Sequence, residues 1–283
     1  MTDIIDNGDS ANLDEGVATV AAASRALKVL RCFSTETPVL GASAIGRSLQ
    51  MHKSTVHRLL VTLEREGFVY QVEPGRYALS YAILELASAV ISSGGAREIV
   101  LEHLGQLVKE CGETAHFAVM DSGQVLYLEK VEGTWSLRMP SAVGRRVALN
   151  CTALGKVLLG GLPDDEQERI AHSVAWKAST SNTLVIPADI VAAARTARSD
   201  GYAIDREEIE FGLVCIAAPV VDHTGQVCGG ISISGPTTRM DERLDELVRH
   251  VRAAAELISS RLGPRARTLS GASFEVLTTP KPV

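Results

Sequence analysis

Long hydrophobic runs are missing from this 283-residue sequence. No apolar stretch approaches the roughly 20 residues that cross a bilayer. The acidic amino terminus, MTDIIDNGDS, lacks the basic and apolar regions of a secretory signal. Five scattered cysteines, with no C-x-x-C pair, argue against a disulfide framework and a structural zinc site. We therefore expect a reduced, cytoplasmic chain with no membrane partner, no metal and no cofactor.

Catalytic signatures are also missing. The sequence contains no G-x-S-x-G elbow, Walker loop, H-E-x-x-H motif or Rossmann fingerprint. Cys215, His223 and Asp205 supply the residue types of a thiol hydrolase. However, no predicted helix start or sharp elbow presents Cys215 as an activated nucleophile. We predict a protein without catalytic residues, and keep a thiol hydrolase as the least favoured alternative.

The net charge of −6 conceals a segregation of charge along the chain. Residues 1–23 carry five acidic side chains and no basic ones, whereas residues 24–80 carry eight basic and four acidic side chains. The remaining residues carry a net charge of −5. A basic module inside an acidic protein is typical of nucleic-acid binding, although +4 over this length also suits an ordinary solvated surface.

The basic module is predicted to contain three helices followed by a two-stranded ribbon. Ser24 is suited to cap the first helix, and a second short helix spans about residues 41–49. The third helix begins at Lys53 or Ser54 and ends at Gly67, with one apolar face. Two β-like runs then flank the turn at residues 73–75. This order predicts a winged helix-turn-helix.

The outward face of the third helix carries side chains that suit DNA. Hydroxyls and amides near a helix start bind phosphate, and arginine reads guanine in the major groove. A basic residue at the ribbon tip suits a phosphate or the minor groove. Taken singly, each residue also fits a solvated helix in a packing domain, but the ordered set favours DNA. The predicted DNA-binding residues are Lys53, Ser54, Thr55, His57, Arg58 and Arg76.

A second module follows a linker helix and alternates predicted strands with helices. Residues 151–156 run from a strand or loop into a helix that Thr152 is suited to cap, and the free amides there suit a small carboxylate. Ala153 and Gly155 are small, so a ligand can approach the backbone closely. Ser232 and Ser234 alternate along a strand and share one side. A tightly packed helix start and a polar edge strand without any ligand are the alternatives.

Both modules resemble one family. The stretches SAIGRSLQMHKSTVHRLLVTLEREGFV and GRYALS resemble the DNA-binding domain of IclR-family bacterial transcriptional regulators. VGRRVALNCTALGKVLLGGLP and DGYAIDREEIEFGLVCIAAPVVDHTGQVCGGISISGP resemble that family's GAF-like effector domain. The resemblance implies a repressor or activator of a catabolic operon. Its expected partners are double-stranded promoter DNA, a small organic acid, further copies in a dimer or dimer of dimers, and RNA polymerase if it activates.

The resemblance also implies an effector cavity. Besides Thr152, the matching positions are Ala153, Leu154, Asp205, Cys215, Ser232 and Ser234. An ionised Asp205 would repel a carboxylate, so it either accepts a bond from a ligand hydroxyl or is protonated. Where many relatives have LHATALGK, this chain has LNCTALGK, so Asn150 and Cys151 alter ligand preference if they point inward. His116, near the first strand of the predicted sheet, is a further candidate for the pocket, although a surface or core position is the favoured interpretation. The low aromatic content, 4%, slightly favours an aliphatic ligand.

The predicted fold is α+β, with a winged helix-turn-helix joined by a linker helix to a GAF-like antiparallel-sheet domain. A redox-responsive regulator that uses Cys151, Cys215 or Cys228 is the second sensory hypothesis. The predicted boundaries are a disordered acidic segment at 1–22, the DNA-binding domain at 23–82, the linker helix at 83–96, the effector domain at 97–262 and a disordered tail at 263–283.

Overall fold

The computed structural model describes residues 20–34, 36–91, 96–135 and 141–262; for residues 87–91 it describes the backbone only. The chain divides between Ile91 and Ser92 into two compact units. The segments predicted as disordered, 1–22 and 263–283, lie outside the described residues except for 20–22. No helix in the described ranges is long and apolar enough to cross a membrane.

The amino-terminal unit contains the three predicted helices. They are α1 (Ala21–Leu30), α2 (Ala42–Ser48) and α3 (Lys53–Arg65). The prediction that Ser24 caps the first helix is wrong, because α1 begins three residues earlier, where an alanine run favours helix. Each helix contributes to one apolar core, in which Val29, Ile45, Val56 and Leu60 are fully buried.

A short sheet completes this unit. Strands β2 (Val69–Glu73) and β3 (Arg76–Leu79) form the predicted ribbon, and Gly75 supplies the positive φ of its turn. A strand that we did not predict, β1 (Leu40–Gly41), pairs with β3, so the order is β1-β3-β2. Helix α4 (Ala82–Ile91) ends the unit and covers most of the predicted linker helix, 83–96. Residues 92–95 of that prediction lie outside the described ranges.

Gly46 sets the spacing between α2 and α3. The backbone N–H of Met51 donates to the carbonyl of Gly46 at 2.8 Å. A Cβ atom on Gly46 would lie 2.7 Å from the carbonyl oxygen of Met51, so only glycine lets the turn pack this closely. The close turn holds α3 at a fixed angle to α2, with its polar face outward.

The carboxy-terminal unit is built on a six-stranded antiparallel sheet, ordered β6-β5-β4-β9-β8-β7. Its two edge strands, β6 and β7, were not predicted, because they have only two and four residues. The strands are β4 (Thr114–Asp121), β5 (Gln124–Val131), β6 (Arg146–Val147), β7 (Ala203–Arg206), β8 (Leu213–Val221) and β9 (Val227–Pro236).

Helices cover both faces of this sheet. One face packs against two long helices, α5 (Ala96–Cys111) and α10 (Leu244–Leu262). The opposite face packs against α6 and α8, and a 3-10 turn, Leu149–Cys151, precedes α6. The last helix was predicted over residues 242–262 and corresponds to α10, whereas α9, which ends one residue before Arg243, was not predicted. The remaining helices are α6 (Ala153–Gly160), α7 (Asp164–His172), α8 (Pro187–Asp200) and α9 (Thr237–Glu242). The predicted α+β class is confirmed.

Candidate nucleic-acid interface and ligand cavity

Helix α3 presents a polar face opposite its buried side. Lys53, Ser54, His57 and Arg58 are exposed and Thr55 is half-buried. The opposite side is anchored in the core by Val56, Leu60 and Leu63. No side chain caps the start of α3. The Thr55 and Val56 amides donate to the His52 carbonyl, at 3.0 and 3.1 Å, so the amides that precede them, of Lys53 and Ser54, are the donors that helix geometry leaves open beside the basic residues.

The basic residues of this face are not neutralised within the chain. Among the described residues, neither Lys53 nor Arg58 forms an ion pair. Arg76 is exposed at the start of β3, next to the ribbon turn, and its guanidinium donates to the carbonyl of Val39 at 3.3 Å. That bond holds Arg76 beside β1 instead of leaving it extended at the tip of the ribbon.

A cavity of about 290 Å³ lies in the carboxy-terminal unit, on the α6 face of the sheet. All seven residues predicted to bind an effector line this cavity. No group of three or more metal-ligating side chains occurs in the described part of the chain. The lining residues are His116, Tyr127, Ser141, Arg145, Val147, Thr152, Ala153, Leu154, Ser179, Asp205, Ile209, Glu210, Leu213, Cys215, Ser232 and Ser234.

Strand register explains why these polar side chains meet. Asp205 pairs with Cys215 across β7 and β8, and Cys215 pairs with Ser234 across β8 and β9. Two residues away on the same face, Ser232 of β9 pairs with His116 of β4. Residues that pair directly share a face of a sheet. The sheet therefore contributes two polar rows to the cavity floor.

The start of α6 forms another wall. The Thr152 hydroxyl accepts a hydrogen bond from the Gly155 N–H at 3.0 Å, as predicted for a cap. The idea that Gly155 lets a ligand approach is wrong, because a Cβ there would lie 2.1 Å from the Leu149 carbonyl oxygen. Gly155 thus permits packing of α6 on the 3-10 turn, while Ala153 and Leu154 line the cavity.

Asp205 is fully buried, and only one of its carboxyl oxygens has a partner. Oδ1 accepts the Glu208 N–H at 2.7 Å, whereas Oδ2 has no hydrogen bond to any described residue. Burial raises the pKa of Asp205 to about 7, with the Glu208 carboxylate adding to the rise and Lys156 opposing it. A substantial fraction of Asp205 is therefore a neutral acid at neutral pH and able to donate a hydrogen bond.

The cysteines do not resemble activated nucleophiles. Burial raises the pKa of the Cys215 thiol well above its usual value, and the Ser234 hydroxyl donates to its sulfur at 3.1 Å. Burial also raises the pKa of Cys151 to about 11 and of Cys228 to about 12. Protonated thiols react slowly with electrophiles and oxidants. These pKa values give the redox and thiol-hydrolase alternatives no support.

The distance from Cys215 to His223 also argues against a hydrolase. His223 is exposed in the turn after β8, whose end at Val221 is six residues from Cys215. Six residues of strand span roughly 20 Å. No catalytic pair can form across that distance.

Nine of the sixteen lining residues lie outside the predicted set, among them His116, for which a pocket position was the less favoured interpretation, and Tyr127, which was not predicted. His116 is 1% exposed and lines the cavity, where its Nε2 lies 2.7 Å from the Ser141 hydroxyl. Tyr127 lies against it, with ring centroids 4.9 Å apart. Neither Asn150 nor Cys151 lines the cavity. The Asn150 amide instead donates to the Leu184 carbonyl at 2.7 Å and holds a loop.

Comparisons with known proteins agree with this architecture. The model described as "IclR helix-turn-helix domain" matches residues 22–73, and "Bacterial transcriptional regulator IclR C-terminal" matches residues 88–260. The HTH-type transcriptional regulator KdgR of Escherichia coli (strain K12) is 35% identical over 259 residues, which cover 90% of this chain and 97% of the relative.

Solved structures show the same fold. The Thermotoga maritima IclR structure is 32% identical, with a TM-score of 0.66, and the match covers 85% of this chain and 98% of that one. An IclR homolog from Microbacterium hydrocarbonoxydans, complexed with 4-hydroxybenzoate, has a TM-score of 0.75 over 86% of this chain and 99% of that one. At 22% identity, that likeness shows the fold alone.

The carboxy-terminal family model alone covers more than half of the chain, and a second model covers the helix-turn-helix unit. The relatives that match over most of their length are transcriptional regulators. The chain is a DNA-binding transcriptional regulator and belongs to the IclR family.

Proposed function

We propose that this regulator is ligand-responsive, binding promoter DNA with its amino-terminal unit and a small organic acid in its carboxy-terminal cavity. The single observation that carries the proposal is that all seven expected effector residues line one cavity. The regulator controls a catabolic or metabolic operon, as a repressor or an activator. If it activates, RNA polymerase is a further partner.

The DNA-binding role is assigned to α3 and the ribbon. The α3 residues Lys53, Ser54 and Thr55 contact phosphates at the helix start, where the first two backbone amides add further donors. His57 and Arg58 project from the next turn towards base edges, where arginine pairs with guanine. Arg76, exposed beside the ribbon turn, contacts the backbone or minor groove. The exposure of this face and its uncompensated charge support these roles.

The cavity is proposed to hold the acid by its carboxylate. The amides of Ala153 and Leu154 lie at the positive end of α6, which favours an anion. Asp205, when protonated, donates to a carboxylate oxygen instead of repelling it. Ser232, Ser234 and Thr152 contribute hydroxyls around the same space. The homolog complexed with 4-hydroxybenzoate is consistent with a small carboxylic acid in this fold.

Regulation requires that the acid discriminate between two states of the protein. A ligand shifts an equilibrium only by its difference in affinity for the two states. We propose a homodimer, or a dimer of dimers, whose two DNA-binding units read half-sites one helical turn or a multiple apart. Ligand binding would favour or disfavour the assembly that matches this spacing.

The test is fluorescence anisotropy with the purified chain and the intergenic duplex beside its own gene, compared with a scrambled duplex across a salt series. Organic acids are then added one at a time. Preference for the native duplex, changed by one acid, is the expected result. Equal affinity for the intergenic and scrambled duplexes at every salt concentration would show that the intergenic duplex is not the operator. Preference that no acid alters would contradict the effector role while leaving the DNA-binding role intact.

A further inference from the structure

A β-bulge in strand β5 determines which side chain faces the cavity. Along the β4–β5 pair, Phe117 lies opposite Glu129, but the next residue, Ala118, lies opposite Tyr127. Leu128 is therefore the extra residue of a bulge, which shifts the side-chain alternation by one. Bulges commonly re-aim a side chain beside a functional site.

Without the bulge, Tyr127 would lie on the other face of the sheet. Its partner Ala118 packs with the α6 side, as Tyr127 does. Regular alternation would pair Tyr127 with Val119, which packs with the α5 and α10 side together with Leu126 and Leu128. The bulge thus places Tyr127 and Val125 on the α6 side of the sheet, where regular pairing would place Leu128 and Leu126.

Two backbone hydrogen bonds to the segment before β6 hold Tyr127 in this position. Its N–H donates to the Arg145 carbonyl at 3.1 Å, and its own carbonyl accepts the Gly144 N–H at 2.8 Å. Its ring packs against His116, which is fixed in turn by the Ser141 hydroxyl. The ring is therefore positioned before any ligand arrives.

One polar side-chain atom of each residue in this aromatic pair lacks a partner among the described residues. Within the described ranges, no protein group hydrogen-bonds the Tyr127 hydroxyl, and the buried Nδ1 of His116 is also unpartnered. Tyr127 lines the same cavity as Asp205 and Cys215, and its pKa is raised first by burial and then by these two groups. Enclosed phenol and imidazole groups ordinarily find partners, because an unmet hydrogen bond destabilises the fold.

We propose that Tyr127, supported by His116, recognises a hydroxyl group of the effector, so that the ligand is a hydroxy acid. This inference rests on the proposed function, in which the α6 end of the same cavity holds the carboxylate. The Tyr127 phenol can donate and accept, the Nδ1 atom of a neutral His116 either donates or accepts, and a ligand hydroxyl can form a hydrogen bond with both of these groups at once. An unsubstituted acid would leave both groups unpaired.

The test compares matched acids that differ by one hydroxyl. Isothermal titration of the full chain is carried out with butanoate, pentanoate and hexanoate, and with the 2-, 3- and ω-hydroxy derivative of each. The variant is Tyr127→Phe, which removes the phenolic oxygen and keeps the ring. Tyr202→Phe, in the same unit but outside the cavity lining, is the matched control.

The wild-type chain is expected to bind at least one hydroxy derivative about fivefold or more tightly than its parent acid, the range of one neutral hydrogen bond. Tyr127→Phe is expected to bring that ratio near one while leaving parent-acid affinity within about twofold, and Tyr202→Phe to change neither. Binding without hydroxyl preference, a preference that survives in Tyr127→Phe, or no binding of any of these acids would overturn the inference. The anisotropy assay on the intergenic duplex tests the proposed function separately, since organic acids of every class are added there.

Discussion

Glu208 donates its backbone N–H to the Oδ1 atom of Asp205 at 2.7 Å. The two carboxylates are both buried, and one cation, the ammonium group of Lys156, forms an ion pair with Glu208. Each carboxylate also keeps one oxygen without a partner in the described part of the chain. Two acids and one base in a buried cluster favour the retention of one proton, and burial places that proton on Asp205.

Stability should therefore depend on pH through Asp205. Its pKa is raised to about 7 in the folded chain, above the unfolded value of about 3.9. The resulting stabilisation is complete below pH 4 and is lost as pH rises through 7. Between pH 5 and 7, the wild-type chain should lose about 2 kcal/mol of unfolding free energy relative to Asp205→Asn.

Urea unfolding followed by tryptophan emission checks this prediction, because both tryptophans, Trp135 and Trp176, belong to the carboxy-terminal unit. Equal pH slopes for the two proteins would show that Asp205 is ionised in the folded chain over this whole range.

Removing the buried cation should destabilise the carboxy-terminal unit. Lys156→Met leaves the Glu208 carboxylate buried without its ion pair and also removes a bond to the Ile204 carbonyl. Loss of one member of a buried pair costs about 3–5 kcal/mol. The double variant Lys156→Met, Glu208→Gln should recover much of this loss in the same urea assay. If the double variant is no more stable than Lys156→Met, the unpaired Glu208 charge is not the cause of the lost stability.

Two glycines in helices should respond oppositely to alanine. Gly155→Ala places a Cβ atom in contact with the Leu149 carbonyl, so α6 must move away from the 3-10 turn, and we expect a loss of more than about 3 kcal/mol. Gly105→Ala, in the open part of α5, should gain up to about 1 kcal/mol from helix propensity. Similar unfolding midpoints for the two variants would contradict the packing argument.

Arg58 should distinguish the native operator from other DNA. Arg58→Ala is expected to weaken specific binding by about 1–3 kcal/mol, with little effect on a scrambled duplex, if the side chain reads a base. Arg65→Ala, in the last turn of the same helix, serves as the control for lost positive charge. Equal loss on both duplexes would reassign Arg58 to a phosphate contact. Anisotropy titrations at one fixed salt concentration provide the comparison.

Periodic patterns predicted most of the fold. The spacing of Val56, Leu60 and Leu63 defined α3 and its outer face, because a helix repeats every 3.6 residues. Short edge strands escaped prediction; β7 contains only Ala203–Arg206, and its residues alternate too briefly to be distinguished from a loop. Its position had to come from pairing with β8, which is a long-range contact.

The cavity was predicted only as far as the family resemblance reached. It identified Asp205, Cys215 and the serines, and the register of β7, β8 and β9 brings them together. Tyr127 was missed because the run VLYL in β5 is apolar throughout and carries no alternation to assign a face. The role of Gly155 was misjudged because its close neighbour, Leu149, lies in a turn that the sequence pattern does not predict.

The bulge at Leu128 makes ligand preference sensitive to the length of β5. Deleting Leu126, between the bulge and the hairpin turn, would allow regular pairing in which Leu128 lies opposite Ala118 and Tyr127 lies opposite Val119, so that a leucine instead of Tyr127 would face the cavity. A single in-frame codon loss is thus a short evolutionary path from a polar to an apolar effector. Regulators built on this scaffold can diverge in what they sense while keeping the operator they read.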